Sequence, residues 1–333
     1  NLTHKLVELG WEVDVVDDLS NGHLELLSDL NLRTITSFLV GNYDREKDPR
    51  NPQVVVIVDD FACDGVVANI VNKKYDYIIH LAANVGGLYK NMNGNAEIFS
   101  SNIKINENVL EACLKNDIGR GIFCLSSCIY PSKPSKFPMD ETMIHEGPPH
   151  PSNEGYAYSK RMLEMQCRQY NEKYDTSFIC VVPVNLYGPY DNFNLKDGHL
   201  LPMLMHRFHI TRKYDEIVAY GTGKPLRQFL YAPDFAKIIL RILFDTNVQG
   251  ENIICCNNDE FTITTVVHNI LDVMTMDKKN LKWLTEKADG CMKKTVSNKK
   301  LLTLYPDMKF TNFDDGLKET YDWFLNNYNN IRK

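Results

Sequence analysis

Short apolar runs separated by amphipathic stretches organise this chain. Residues 11–17 (WEVDVVD), Val54–Val58 (VVVIV), 75–83 (YDYIIHLAA), the apolar residues leading to Ser126, Ser177–Pro183 (SFICVVP) and 252–256 read as strands. Val54–Val58 is apolar at every position, the pattern of a parallel strand covered on both faces. Helical patterning fills the intervals: residues 1–10 closed by Gly10, a short helix between Asp60 and Tyr75, then 93–115, 156–174, about 199–212, 234–244, 264–276 and 313–327. Residues 216–220 read as one more short strand. Residues 24–52 are poorly patterned, carry the charged run Asp44-Arg45-Glu46-Lys47-Asp48, and read as a connecting excursion. Strands alternating with helices at this spacing predict an α/β fold, a Rossmann-type doubly wound parallel sheet.

Sheets of this kind bind ligands beyond the carboxyl ends of their strands. Asp17, Asp60, Ala82 and Ser126 all fall at predicted strand ends, so they are expected to share one edge. A helix followed by a strand that closes on Asp17 reads as the second half of a nucleotide-binding βαβ unit. There the carboxylate takes the adenosine ribose hydroxyls; an ordinary turn residue is the alternative reading of Asp17. The first strand and glycine turn of such a unit are expected before Asn1, which implies a chain lacking its true start. Asp60 stands where such folds often hydrogen-bond adenine, and the small Ala82 leaves room for a cofactor. Asn102 is a further candidate cofactor contact, against the default of a solvated helix face. Glycine, proline and loop content rises past Pro183. A dinucleotide-binding domain over residues 1–182 is therefore expected, followed by a smaller mixed α/β C-terminal substrate domain over 183–333. Residues 228–256 are expected to return to the first.

Composition narrows the class. The 333 residues suffice for one large domain or two coupled ones. A net charge of −6 argues against a nucleic-acid surface. No apolar run reaches the ~18 residues of a membrane span, and no leader pattern is visible. The nine cysteines are odd in number and scattered without a CxxC pair. Neither a metal site nor a disulfide framework is expected, and a reducing, cytoplasmic setting fits best.

The chemistry concentrates between Cys124 and Lys160. A serine at a strand end, Ser126, is followed by Tyr156 and, four residues along the same helix, Lys160. A phenol titrates near 10 and needs its anion stabilised to exchange protons at neutral pH. Lys160 is expected to lower the Tyr156 pKa, and Ser126 to hydrogen-bond a carbonyl oxygen under reduction. Cys128 and His199 form a second pair, able to exchange protons with a carbon made acidic by an adjacent ketone. A buried core thiol and a structural histidine are the plainer readings of those two.

At this point the residues resemble a family. Ser126-Ser127-Cys128-Ile129-Tyr130-Pro131, the run from Asp140 to His150, the helix start from Tyr156 to Lys160, Asn185-Leu186-Tyr187-Gly188-Pro189, and Asp197-Gly198-His199-Leu200-Leu201-Pro202 are similar to the GDP-L-fucose synthases. These are extended short-chain dehydrogenase/reductases. His80-Leu81-Ala82-Ala83, Val85-Gly86-Gly87-Leu88 and Lys293-Lys294-Thr295 extend the similarity over about residues 75–333. It implies NADPH-dependent conversion of GDP-4-keto-6-deoxy-D-mannose to GDP-L-fucose, by epimerisation at C3 and C5 and reduction at C4. It implies Cys128 and His199 as the epimerisation pair, and Ser126, Tyr156 and Lys160 as the reduction triad. Lys160, Pro183, Asn185 and His199 match cofactor contacts; Arg207, Tyr220, Arg227 and Asp289 match GDP-sugar contacts. Tyr220 stands where the family usually has tryptophan, and Val184 where it usually has threonine. A homodimer through a four-helix bundle of 93–115 and 156–174 is implied as well.

The first 70 residues look more like NAD-dependent sugar-nucleotide epimerases, because Asp17 would repel the 2′-phosphate of NADP. NADP(H) is expected from the family, with NAD(H) as the alternative; Lys5 is a candidate to offset the repulsion. A nucleotide-sugar 4-epimerase or 4,6-dehydratase, a related GDP-keto-sugar C4 reductase, and a non-catalytic nucleotide-sensing protein are the competing readings.

Overall fold

The computed structural model describes residues 1–36, 45, 47–63, 75–211 and 215–332. The short helix expected between Asp60 and Tyr75 lies outside them, as do Asp44 and Glu46 of the charged run. Helix α1 (Leu2–Glu8) ends at Gly10, whose φ of 86° is the left-handed conformation that a glycine past a helix end supplies. The chain then enters β1 (Val13–Asp17). With β2 (Leu32–Thr36) and β3 (Val54–Val58) it forms a parallel sheet of order β1-β3-β2. The central place of β3 explains why Val54 to Ile57 are buried and apolar without alternation. β2 corrects the expectation of an unstructured excursion. Its LRTIT sequence is an edge strand whose polar Arg33 and Thr34 break the apolar pattern.

A second parallel sheet has the order β10-β6-β5-β4, made of β4 (Ile78–His80), β5 (Arg120–Cys124), β6 (Ser177–Pro183) and β10 (Asn252–Cys255). β4 is shorter than the 75–83 run, because Tyr75 and Tyr77 serve the seam between the sheets instead. The Tyr75 hydroxyl donates to Asp14 at 2.7 Å, and the Trp11 ring meets Tyr77 edge-on. One hydrophobic core, including Ile35, Val55, Ile57, Ile122, Phe123 and Ile179, spans both sheets. The expected 93–115 helix is α3 (Asn95–Lys115), preceded across Gly94 by a short helix, α2 (Leu88–Asn93). α3 packs on α4 (Glu154–Tyr174), and α4 packs on β6.

A smaller core gathers Phe193, Leu204, Phe208, Val266, Ile270 and Phe324. Around it lie α5 (Leu200–Ile210), α7 (Ile263–Val273) and α9 (Phe313–Asn326), two small sheets, and the short α8 (Lys299–Leu304) toward the first core. β11 (Glu260–Thr262) and β7 (Asn185–Tyr187) flank β9 (Leu226–Tyr231); β8 (Ile217–Tyr220) pairs with β12 (Leu281–Leu284). The chain crosses back in between: α6 (Ala232–Phe244) and β10 bury Phe235, Ile239, Ile242 and Ile254 in the first core. Among the described residues no helix is long and apolar enough to cross a membrane.

Candidate active site

β5 delivers the first functional residues. Past its end, the Leu125 amide donates to the Val181 carbonyl at 2.8 Å, so the chain stays against β6 before it turns. Ser126 then caps a single 3₁₀ turn, Ser127–Ile129, its Oγ accepting from the Cys128 amide at 3.2 Å. That cap brings Ser126 and Cys128 together at the strand end. α4 adds Tyr156 in its first turn, where Gly155 lets the helix start lie against Asn95. A Cβ on Gly155 would stand 2.1 Å from the Asn95 carbonyl oxygen.

The Tyr156 phenol is held well above its ordinary range by burial and by the neighbouring Cys124 and Cys128; a hydrogen bond with Ser126 acts the other way. The expected lowering by Lys160 is not seen. Lys160 is 1% exposed, donates from Nζ to the Cys124 carbonyl at 2.7 Å, and stands 6.0 Å from the centre of the Tyr156 ring. Burial pushes its own pKa down. Toward β4, burial and Lys160 together push the His80 imidazole to about 3, so that residue is neutral.

Cys128 has a partner that the sequence did not point out. Lys294 Nζ lies 3.5 Å from Cys128 Sγ. Burial opposes ionisation of the thiol, but the Lys294 charge and hydrogen bonds from Ser126, Lys294 and Asn153 outweigh it, and the net shift is downward. Arg227 reaches the same group of residues from β9; burial lowers its pKa, and the Cys291, Cys128 and Asp289 side chains act the other way. His150 is held below its ordinary range by burial, then Lys294, then Arg227.

His199 caps α5 by position but not by side chain. Its ring opens to solvent within a crowded wall; desolvation there and the Arg332 charge both lower its pKa. No hydrogen bond joins it to Cys128 among the described residues. The loop after β4 approaches the His199 side. It is pinned by Asn102, which accepts from the Asn84 amide at 2.7 Å and donates to its carbonyl at 2.9 Å. The loop reaches the other wall at Gly87, where a Cβ would stand 3.8 Å from the Gly198 oxygen.

Arg332 is the second unforeseen residue. It pairs along the backbone with Asn192 and donates to the Asn21 carbonyl in the turn after β1. Its charge favours ionisation of Asp17 and of Asp191. Burial raises Asp17, while the Leu19 amide donating to it at 2.7 Å works against that rise. Burial likewise raises Asp191, to about 7. Lys5, expected to face Asp17, pairs instead with Glu8 at 2.8 Å on its own helix.

The remaining candidates line the same edge or the smaller core. Asp60 caps its own turn, accepting from the Ala62 amide at 2.8 Å. Ala82 is half-buried past β4, Pro183 closes β6, and Asn185 donates to the Gln228 carbonyl at 2.8 Å. Asn102, with both amide groups on Asn84, holds a loop rather than facing open space. Arg207 lies over the Tyr220 ring at 4.3 Å, and its Nη1 is buried without a hydrogen-bond partner. Asp289 accepts from both the amide and the hydroxyl of Thr222, each at 2.7 Å. No cluster among the described residues is built to hold a metal ion.

Residues 1–256 match the NAD dependent epimerase/dehydratase family. The GDP-L-fucose synthase of Dictyostelium discoideum is 46% identical over 262 residues, which is 78% of this chain and 81% of that protein. The structure of a GDP-L-fucose synthetase from Naegleria fowleri bound to NADP superposes with a TM-score of 0.76 at 38% identity, covering 91% of this chain and 95% of that one. A UDP-glucose 4-epimerase from Thermotoga maritima superposes with a TM-score of 0.80 over 98% of this chain and 95% of that one. At 20% identity, it shares the fold.

Proposed function

The chain belongs to the NAD dependent epimerase/dehydratase family, among its GDP-L-fucose synthases, and from that premise we propose that it converts GDP-4-keto-6-deoxy-D-mannose to GDP-L-fucose with NADPH. The observation that carries this reading is one wall with two chemistries. Cys128 is poised as a base and Tyr156 as a loaded acid, with Ser126 between them.

Protons at C3 and C5 of such a sugar are acidified by the C4 ketone. The Cys128 thiolate takes one, leaving an enolate, and the opposite face is reprotonated by His199. A lowered imidazole pKa makes the protonated ring a stronger acid, so a proton gained from solvent passes readily to carbon. Thiol and imidazole then re-equilibrate with water, and each epimerised carbon carries a solvent hydrogen. Reduction draws on a different group. Tyr156, un-ionised at neutral pH in its buried place, gives its proton to the C4 oxygen as the hydride arrives. Ser126 hydrogen-bonds that oxygen and the phenolate left behind. NADPH, when bound, supplies the hydride to C4.

The cofactor fits the edge of the parallel sheets. Asp17 faces the ribose; the Arg332 guanidinium beside it, with Nε buried and unpartnered, offers the positive charge that a 2′-phosphate requires. Asp60, Ala82, Lys160, Pro183 and Asn185 are the other residues that would hold it, and Asn102 keeps the intervening loop in place. For the substrate, the unpartnered Nη1 of Arg207 and the charge of Arg227 suit a diphosphate, and Tyr220, 41% exposed, suits a base. The body built on the first core, which α6 and β10 rejoin, is the dinucleotide-binding domain in this reading, and the rest binds the sugar nucleotide.

Phe99 on α3 and Met162 and Met165 on α4 are exposed hydrophobics, and a shallow apolar pocket opens between the two helices. They support a homodimer through a four-helix bundle. Sedimentation of the Met162→Glu variant as a monomer, against a wild-type dimer, is the expected result. A cytoplasmic setting is part of this reading, in keeping with nine cysteines that form no disulfide. A second reading, an NAD-dependent 4-epimerase, is favoured by Asp17 alone. Incubation with the GDP-keto sugar and NADPH separates the two: loss of NADPH absorbance is expected, and none would rule out the synthase.

A further inference from the structure

Lys294 has a placement that its sequence surroundings do not explain. Residues 293–297 run as an extended segment held from both sides. Lys293 bridges Leu226, and Val296 bridges Met139. The Met139 amide donates to the Thr295 carbonyl at 2.9 Å, and the Ser297 amide to the Met139 carbonyl at 2.8 Å. In extended backbone, alternate side chains point to opposite sides. Lys293 and Thr295 accordingly share one partner, Glu260: Lys293 Nζ lies 3.5 Å from it, and the Thr295 hydroxyl donates to it. Lys294 is thereby turned the other way, toward Cys128 Sγ at 3.5 Å. No acidic side chain pairs with Lys294 among the described residues, so the thiol is the group its ammonium meets.

We propose that Lys294 is the ion-pair partner of the Cys128 thiolate, a positioning residue that dedicates this thiol to proton abstraction from carbon. The proposal rests on the synthase reading only for the carbon chemistry; the pairing itself belongs to the free protein. Every group that faces Cys128 fits. Ser126 and Asn153 give it hydrogen bonds, and Tyr156 is un-ionised beside it. Arg227 adds positive charge from β9, while its Nη1 donates to the Leu226 carbonyl at 2.8 Å. His150, pushed down by Lys294 and Arg227, adds no third cation. Among the cations of the described residues, Lys294 alone is within hydrogen-bonding reach of the sulfur. When Cys128 takes a proton from carbon, the pair becomes thiol and ammonium. Loss of the proton to solvent restores it, with no change of redox state.

The test is the pH profile of Cys128 alkylation by iodoacetamide, followed by mass spectrometry on its own peptide, with the exposed Cys63 as internal reference. In Lys294→Met the Cys128 profile should move to higher pH by about one unit, a roughly tenfold loss of reactivity near neutrality, with Cys63 unmoved. Lys294→Arg keeps the charge and should retain most of the wild-type profile, which separates charge from any folding defect. With the GDP-keto sugar, Lys294→Met should lose solvent deuterium uptake about tenfold at unchanged KM. An unmoved alkylation profile overturns the proposal. So does a raised KM with normal deuterium uptake, which would make Lys294 a diphosphate ligand. Failure of the wild-type protein to turn over the sugar would instead strike the synthase reading, leaving the alkylation result to decide the pairing.

Discussion

At the scale of single residues, the two thiol and phenol groups matter through opposite biases on one strand end. Cys128 is pulled down by Lys294, Ser126 and Asn153, whereas Tyr156 is pushed up by burial. Ser126, Cys128, Tyr156 and Lys160 were legible because they lie within one strand–loop–helix. Lys294 was not, being 166 positions from its thiol, and nothing local marks it apart from Lys293. Arg332 was hidden for the same reason, being 311 positions from Asn21. Asp191 offers a test of the electrostatics next to Arg332. Its pKa is raised from 3.8 to about 7, so the folded state binds the proton more tightly than the unfolded chain. Its contribution to stability is full below 3.8 and is lost as pH rises through about 7. Asp191→Asn should remove that slope, worth at most about 4 kcal/mol before solvent screening. Denaturant titrations on either side of the window measure it; an identical slope in the variant would refute the assignment.

Among the elements, apolar runs and long amphipathic segments were legible, and short strands that keep polar residues were not. Val54–Val58 and Ser177–Pro183 are central strands whose burial on both faces writes itself as an unbroken apolar run. β2 and β9 escaped because an edge strand and a strand of a small mixed sheet keep polar residues, Arg33 and Thr34 in one, Arg227 and Gln228 in the other. The placement of Tyr156 depends on how closely α4 approaches α3. Gly155 permits that approach, since an added methyl would meet backbone atoms of Asn95, and backbone cannot swing aside. Gly155→Ala should therefore destabilise the fold by about 1–3 kcal/mol. It should also lower reduction through displacement of Tyr156. Thermal unfolding with parallel NADPH oxidation checks both, and an unchanged melting temperature would mean the helices have slack.

For the whole molecule, the open question was how a chain with an acidic β1 end accommodates a 2′-phosphate. Arg332 lies against the β1 turn and favours the Asp17 charge, so it brings a cation to that end of the sheet. Arg332→Ala should raise the NADPH dissociation constant about tenfold or more, the scale of one charge-assisted contact, and leave NADH binding nearly unchanged. Fluorescence titration of each cofactor reads this directly, and equal losses for both would remove Arg332 from cofactor choice. The central claim is that one site epimerises two carbons and then reduces a third. Its most direct measurement is the turnover of GDP-4-keto-6-deoxy-D-mannose with NADPH in D₂O, with the product resolved by NMR. GDP-L-fucose bearing deuterium at both C3 and C5, formed with matching NADPH consumption, is the predicted result. A C4-reduced sugar without deuterium at those carbons, or NADPH left unoxidised, would contradict it.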